Sequence, residues 1–204
     1  GNHQEYWNAV KKYPRLIGGY IWDWVDQSVI RKDSVTGKEY FSSLNGTNGL
    51  VFADRKIKPA INECKKIYQH IRFDYSNGEL TIRNEYNYLP LSTFRFSWKL
   101  MAGGELIKKG ELTDIEAFPG TSARVKIDTG YSDAGQKGEF ILEINACLKE
   151  NTIWASKGFE IAWEQFILQE GKVNPPVEEN TGNGGKLTVQ KKANEIGIYN
   201  DRIN

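Results

Sequence analysis

Alternation of apolar and polar residues with a period of two dominates residues 69–168. The clearest run is 93–100, and shorter rows occur near 80–82, 123–127, 140–148 and 159–167, with glycine-containing turns between them. Several short strands at this spacing predict an antiparallel β-sandwich of the immunoglobulin type over 68–169. The side chains expected inside it are Phe94, Phe96, Trp98, Phe140, Leu142, Ile144, Ile161 and Trp163, with Phe159 and Ile167 in the same row as the last two.

The pattern before residue 68 differs. A helical period begins at Asn2, which together with Glu5 has the spacing of a capping box, and we expect the helix to stop at Pro14. Residues 16–27 form a nearly continuous apolar run, which is typical of a strand buried on both faces in a parallel α/β sheet or barrel.

Residues 28–57 are rich in turn signals and are expected to be loops. A second helix is predicted from Lys58 onward, because Pro59 suits a first helical turn and Ile61, Cys64 and Ile67 share one side. Residues 1–67 therefore read as a piece of α/β architecture.

Residues 170–204 have the composition of a linker followed by two strand-like pieces, 186–190 and 195–199. These pieces cannot bury a core alone, so we expect them to be the first strands of a further β domain.

Composition excludes several classes. A net charge of +1 without a basic cluster argues against nucleic-acid binding, and no apolar run has the length of a membrane span. Two cysteines exclude a disulfide framework and a cysteine-based structural zinc site. Aromatic residues make up 12% of the chain and include six tryptophans, which suits sugar-handling proteins and ordinary β-sandwiches equally.

Candidate chemistry lies at the end of the apolar run. The tryptophan content makes glycoside hydrolysis one reaction to consider, and that reaction needs two carboxylates. Asp23 and Asp26 lie at the end of the apolar run, where barrel active sites form. The favoured interpretation is nevertheless that these two carboxylates pair with backbone or basic groups. Trp22 and Trp24 share one strand face, and each either packs in a core or stacks on the apolar face of a sugar.

Two motifs carry a family resemblance. Residues 13–27 read YPRLIGGYIWDWVDQ and residues 48–55 read NGLVFADR. Together they resemble the end of the catalytic barrel in the large β-galactosidases of glycoside hydrolase family 2, and the later residues resemble the domains that follow it. The implied fold is mixed: 1–67 the C-terminal end of a (β/α)8 TIM barrel, 68–169 the immunoglobulin-like sandwich, and 170–204 a linker and the start of the next β domain.

The resemblance implies that Trp22 lies against the galactose ring and that Asn48 helps to hold a sodium ion. The family's catalytic glutamates and magnesium ligands match positions before Gly1, so no catalytic residue is assigned here and the 204 residues alone are expected to be inactive. The implied parent enzyme hydrolyses terminal β-D-galactosides by a retaining two-carboxylate mechanism.

The implied partners are a β-galactoside and the rest of the same enzyme, in a homo-oligomer, with no nucleic acid and no membrane. A β-glucuronidase or β-mannosidase of the same family remains open. So does a non-catalytic β-sandwich that binds carbohydrate or spaces other domains, although such a module would not need the first 67 residues.

Overall fold

A computed structural model of the chain describes residues 2–43, 46–131, 138–171, 188–192 and 195–199. The chain divides into two units, residues 1–170 and residues 171–204. No helix among the described residues is both long and apolar enough to cross a membrane.

The first helix, α1, spans His3–Lys12, as the sequence predicts. The predicted capping box is wrong in one respect, because the Asn2 side chain makes no capping hydrogen bond. Asn2 has φ −82° and ψ 28°, not the extended backbone that aims a cap side chain at the free amides of the first turn. The helix is held instead by its aromatic face, where Trp7 packs edge-on against Tyr68.

The prediction of a strand buried on both faces over 16–27 is wrong for the described chain. Ile17 and Tyr20 are fully exposed, and the segment has one isolated bridge, from Val25 to Val51 in parallel. A strand of a parallel sheet is buried when helices cover its two faces and a neighbouring strand on each side completes its hydrogen bonds. Among the described residues, this segment has such a neighbour only from Asp23 onward.

The region expected to be loops contains a hairpin. Strands β1 (Ser28–Lys32) and β2 (Glu39–Ser43) pair antiparallel, with Ser28 opposite Ser43. The predicted turn between them is present, because Asp33 Oδ1 accepts hydrogen bonds from the amides of Val35 and Thr36 at 3.0 and 2.6 Å. Helix α2 follows as Ala60–Tyr68, with Pro59 at its N-cap and with Cys64 and Ile67 buried.

The region after α2 contains seven strands in two antiparallel sheets that pack face to face. One sheet has the order β3-β4-β7, the other β6-β5-β8-β9, and buried side chains from both sheets form one continuous core. Their bounds are β3 Ile71–Ser76, β4 Glu79–Asn84, β5 Phe94–Ala102, β6 Glu105–Leu112, β7 Ser122–Lys126, β8 Phe140–Leu148 and β9 Glu160–Gln169.

The predicted inward rows of β5 and β8 are confirmed, and Trp98 is only 7% exposed. The predicted row of β9 is wrong. Ala162 is the buried residue there, whereas Trp163 is half-buried under Lys66 of α2, and Phe159 and Ile167 are exposed. The pairing of β8 with β9 shifts register at two places, so a strict period of two does not continue along β9. Ile161 packs at the margin of the core.

Both helices rest on the sandwich through charged groups. Lys65 and Lys66 of α2 pair with Glu160 and Glu164 at 2.9 Å each, and Lys11 of α1 pairs with Glu85. Burial acts to raise the pKa of Glu85, but Lys11 and Arg72 outweigh it and leave that pKa below its usual value. The charged contacts therefore tie the α/β piece to the sandwich within the first unit.

The second unit contains one hairpin among its described residues. Strands β10 (Thr188–Lys192) and β11 (Glu195–Tyr199) pair antiparallel, which agrees with the two predicted strand-like pieces. The predicted linker motifs at 174–176 and 181–185 lie outside the described residues.

We predict that Trp98→Ala lowers the free energy of unfolding by about 3–5 kcal/mol, because it leaves a large void between the sheets. Trp154→Ala is the matched control, since Trp154 is 63% exposed and its ring packs edge-on against Phe159; its cost should be about 1 kcal/mol or less. Denaturant unfolding of the chain measures both. Equal costs would contradict the assigned core.

Candidate functional site

The two motifs that carry the resemblance pair with each other in the structure. Four backbone hydrogen bonds in the parallel pattern join 23–26 to 48–51: Asp23 N to Asn48 O, Leu50 N to Asp23 O, Val51 N to Trp24 O and Asp26 N to Val51 O, at 2.9–3.1 Å. The backbone of Asn48 therefore lies beside the residue that follows Trp22. The two residues expected at the sugar site are held in adjacent segments.

Gly49 permits this pairing. A Cβ atom added at Gly49 would lie 2.2 Å from the backbone nitrogen of Asp26 and 2.4 Å from the carbonyl carbon of Val25. Only glycine allows two backbones to approach so closely.

The side chain of Asp26 fixes the same junction from beneath. Asp26 is 6% exposed, and its Oδ1 accepts hydrogen bonds from Gly49 N at 2.9 Å and from Lys58 Nζ at 2.5 Å. Lys58 Nζ also donates to the carbonyl of Thr47 at 3.0 Å. A buried carboxylate with these partners is a structural group, in agreement with the favoured interpretation of Asp26.

The other two carboxylates near the motifs also have structural partners. Asp23 accepts hydrogen bonds from Trp24 N at 2.5 Å and from Gln27 Nε2 at 3.0 Å. Asp54 pairs with Lys56 at 2.8 Å, and hydrogen bonds from Lys56 lower the pKa of Asp54. The hydrogen bonds from Lys56 favour the ionised, accepting form of the Asp54 carboxylate.

Trp22 and Trp24 project from this junction without being buried, with 75% and 58% of their surface exposed. Trp24 lines an open cleft of about 460 Å³ together with Leu50, Ile61 and Tyr68. The peptide bond between Trp22 and Asp23 is cis. The tertiary structure of the described residues thus does not use Trp22 as a core residue.

The described residues contain no cluster of three or more His, Cys, Asp or Glu side chains suited to a metal ion. Asn48 lies at the surface and offers an amide oxygen, a donor that suits a hard cation such as sodium. His3 lies against Tyr68 and Cys64, with its Nε2 3.1 Å from the Tyr68 hydroxyl.

Sequence reasoning missed the role of Lys58. The Lys-Pro-Ala start of α2 was visible, but Lys58 is separated by 32 residues from the carboxylate it neutralises. The sequence contains one indication of this role. Asp26 stands at the end of an apolar run, and an aspartate that is buried there needs a cationic partner from elsewhere in the chain.

We predict that Lys58→Met lowers the free energy of unfolding by about 3–5 kcal/mol, because it leaves the carboxylate of Asp26 buried without its cation. The double variant Asp26→Asn/Lys58→Met should recover part of that loss, since no charge stays buried. Lys56→Met, at the exposed pair with Asp54, should cause no measurable change. Denaturant unfolding of all three variants tests the assignment, and a Lys58→Met protein as stable as the Lys56→Met protein would refute it.

Comparison with known proteins gives two family matches in succession. Residues 1–73 match the TIM barrel domain of glycosyl hydrolases family 2, and residues 80–169 match domain 4 of β-galactosidase. The barrel match covers α1, the paired motifs and α2, and the domain 4 match covers most of the two-sheet region.

Curated relatives agree with these matches. A β-galactosidase of Priestia megaterium is 32% identical over 191 residues, which is 87% of this chain and 18% of that protein. Those of Oenococcus oeni (32% over 185 residues, 82% and 17%) and Halalkalibacterium halodurans (29% over 213 residues, 98% and 20%) are similar. The chain spans about a fifth of the length of the relatives it matches. With the barrel and domain 4 matched in order, the chain belongs to the β-galactosidases of glycoside hydrolase family 2.

Proposed function

We propose that this chain is part of a glycosidase that hydrolyses terminal β-D-galactosides, and that it supplies one wall of the sugar pocket and the sandwich beneath it. The observation that carries the proposal is the parallel pairing of 23–26 with 48–51, which places the backbone of Asn48 beside Asp23, the residue that follows Trp22. The relatives' name, β-galactosidase, supports the substrate class.

Trp22 is proposed to stack on the apolar face of the galactose ring. A flat, largely exposed indole next to a fixed backbone is suited to that contact, because sugar C–H groups pack on aromatic faces and lose water there. Trp24 differs because it lines a cleft with Leu50 and Ile61, so its contribution is expected to be packing.

Asn48 is proposed as one oxygen ligand of a sodium ion beside the sugar. Its backbone carbonyl is already fixed by the amide of Asp23, so its side chain departs from a defined point. The remaining ligands, and any magnesium site, are proposed to belong to other parts of the enzyme. Sodium there would supply a positive charge that orients sugar hydroxyl groups.

The chemical step is proposed to use a retaining pair of carboxyl groups about 5–5.5 Å apart. Asp23, Asp26 and Asp54 have structural partners, which supports a binding and scaffolding role for this chain.

The sandwich is proposed to be immunoglobulin-like, because its seven strands divide into sheets of three and four. The proposed domain bounds are 1–67, 68–169 and 170–204. A homo-oligomeric enzyme is part of the proposal. The barrel match over 1–73 argues against a free-standing sandwich module.

In the complete enzyme, we predict that Trp22→Ala lowers kcat/KM for a chromogenic β-galactoside about 10- to 100-fold, as expected for loss of about 1.5–3 kcal/mol of apolar contact. The melting temperature should change little. Trp24→Ala is the matched control, which should lower thermal stability more than kcat/KM. The stacking role would be refuted if both variants lost activity and stability in the same proportion.

The 204-residue chain by itself should not cleave a chromogenic β-galactoside above the buffer rate, because its carboxylates near the barrel motif serve structural contacts. The assay uses rigorously purified chain over a range of concentrations. Cleavage that persists through purification and disappears in Asp23→Asn would overturn both the prediction and the structural assignment of Asp23.

A further inference from the structure

The segment that leads to Trp22 lies directly on helix α1. The hydroxyl of Tyr6 donates a hydrogen bond to the carbonyl of Gly18 at 3.1 Å. A Cβ atom added at Gly19 would lie 2.4 Å from that same hydroxyl oxygen, and one added at Gly18 would touch the indole of Trp7 at 3.4 Å. The two glycines therefore let the chain approach the aromatic side chains of the helix without a gap.

Helix α1 is itself firmly held. The Trp7 ring meets the Tyr68 ring of α2 with centroids 4.8 Å apart, and Lys11 pairs with Glu85 of the sandwich. The Tyr6 hydroxyl is therefore carried by a helix that contacts both α2 and the sandwich.

The segment between Gly19 and Asp23 has little other support among the described residues. Tyr20 is fully exposed, and the parallel pairing starts only at Asp23. Trp22 lies between two points of attachment, the contact of the glycines with α1 and the pairing of Asp23 with Asn48. If the contact of the glycines with α1 is displaced, the indole of Trp22 moves, because the pairing at Asp23 supports the chain only on the C-terminal side of Trp22.

We propose that Tyr6 is a positioning residue for Trp22: its hydroxyl fixes Gly18 and Gly19 against α1 and so sets where the indole stands in the sugar pocket. This inference rests on the proposed stacking role of Trp22. Tyr6 does not need to touch the sugar, so its effect should pass entirely through Trp22.

The first test is a double-mutant cycle in the complete enzyme. Tyr6→Phe removes one neutral hydrogen bond and should raise KM for a β-galactoside about 2- to 10-fold, with a smaller change in kcat. In the Trp22→Ala background the same change should leave KM unaltered, because there is no indole to position. A merely structural role would lower the amount of active enzyme, and hence the apparent kcat, with KM unchanged.

Tyr13→Phe is the matched control. Tyr13 caps the same helix and is 52% exposed, as Tyr6 is, and within the described part of the chain its hydroxyl has no hydrogen-bond partner. Its kinetic constants should equal those of the unaltered enzyme.

The second test uses the close contact at Gly19. Gly19→Ala should raise KM on the order of 10-fold or more, because the new methyl group displaces the Tyr6 hydroxyl. In the Tyr6→Phe background the obstructing oxygen is gone, and the nearest ring atoms lie 3.1–3.2 Å from the added Cβ. The same substitution should then cost less than about 3-fold, so the two changes are not additive.

The outcomes separate the two ideas. If Trp22→Ala leaves KM unchanged, the proposed stacking role fails. If Trp22→Ala raises KM and Tyr6→Phe does not, or if Tyr6→Phe raises KM equally in the Trp22→Ala background, the positioning role of Tyr6 is overturned while the stacking role stands. Additive effects of Gly19→Ala and Tyr6→Phe would also overturn it.

Discussion

The buried ion pair between Asp26 and Lys58 is the contact on which the candidate site depends. It joins Asp26, near the end of one motif, to Lys58, two residues before helix α2, and the Asp26 carboxylate also binds Gly49, the second residue of the other motif. This carboxylate is almost removed from water. A charge in such a place is tolerated only when its partners are complete, so the pair restricts the three segments to one arrangement. The same arrangement places the backbone of Asn48 beside Asp23, the residue after Trp22, and the side chains of Trp22 and Asn48 are both exposed.

The sandwich supports residues 1–67, because helix α2 packs on it. The core of the sandwich contains no residue of the first motif. Helix α2 packs on the outer face of the sandwich through Lys65 and Lys66, and Lys66 lies over the ring of Trp163. Burial lowers the pKa of Lys66, while its partner Glu164 acts in the opposite direction. Ionic contacts of this kind are directional and weaken with salt, so they fix orientation more than they add stability.

The sandwich could be predicted from sequence where one face of a strand meets the core and the other meets water. The rows of Phe94–Leu100 and Phe140–Leu148 are of that kind, and both are confirmed. Strand β6 escaped prediction because it is an edge strand with most side chains exposed, so it carries no alternation. Strand β9 was placed correctly but in the wrong phase, since helix α2 covers the face that bears Trp163 and register shifts interrupt the period.

The sequence by itself determined the two helices, the main strands of the sandwich and, through the Trp-Asp-Trp and Asn-Gly-Leu-Val motifs, the family. Local propensity and side-chain period are properties of neighbouring residues, so they can be read without a fold. Only the tertiary structure decided that Asp26 is neutralised by Lys58, that Gly49 admits a second backbone and that Tyr6 touches Gly18 and Gly19. These contacts join residues 12 to 32 positions apart, and their geometry arises only when separate segments are packed together.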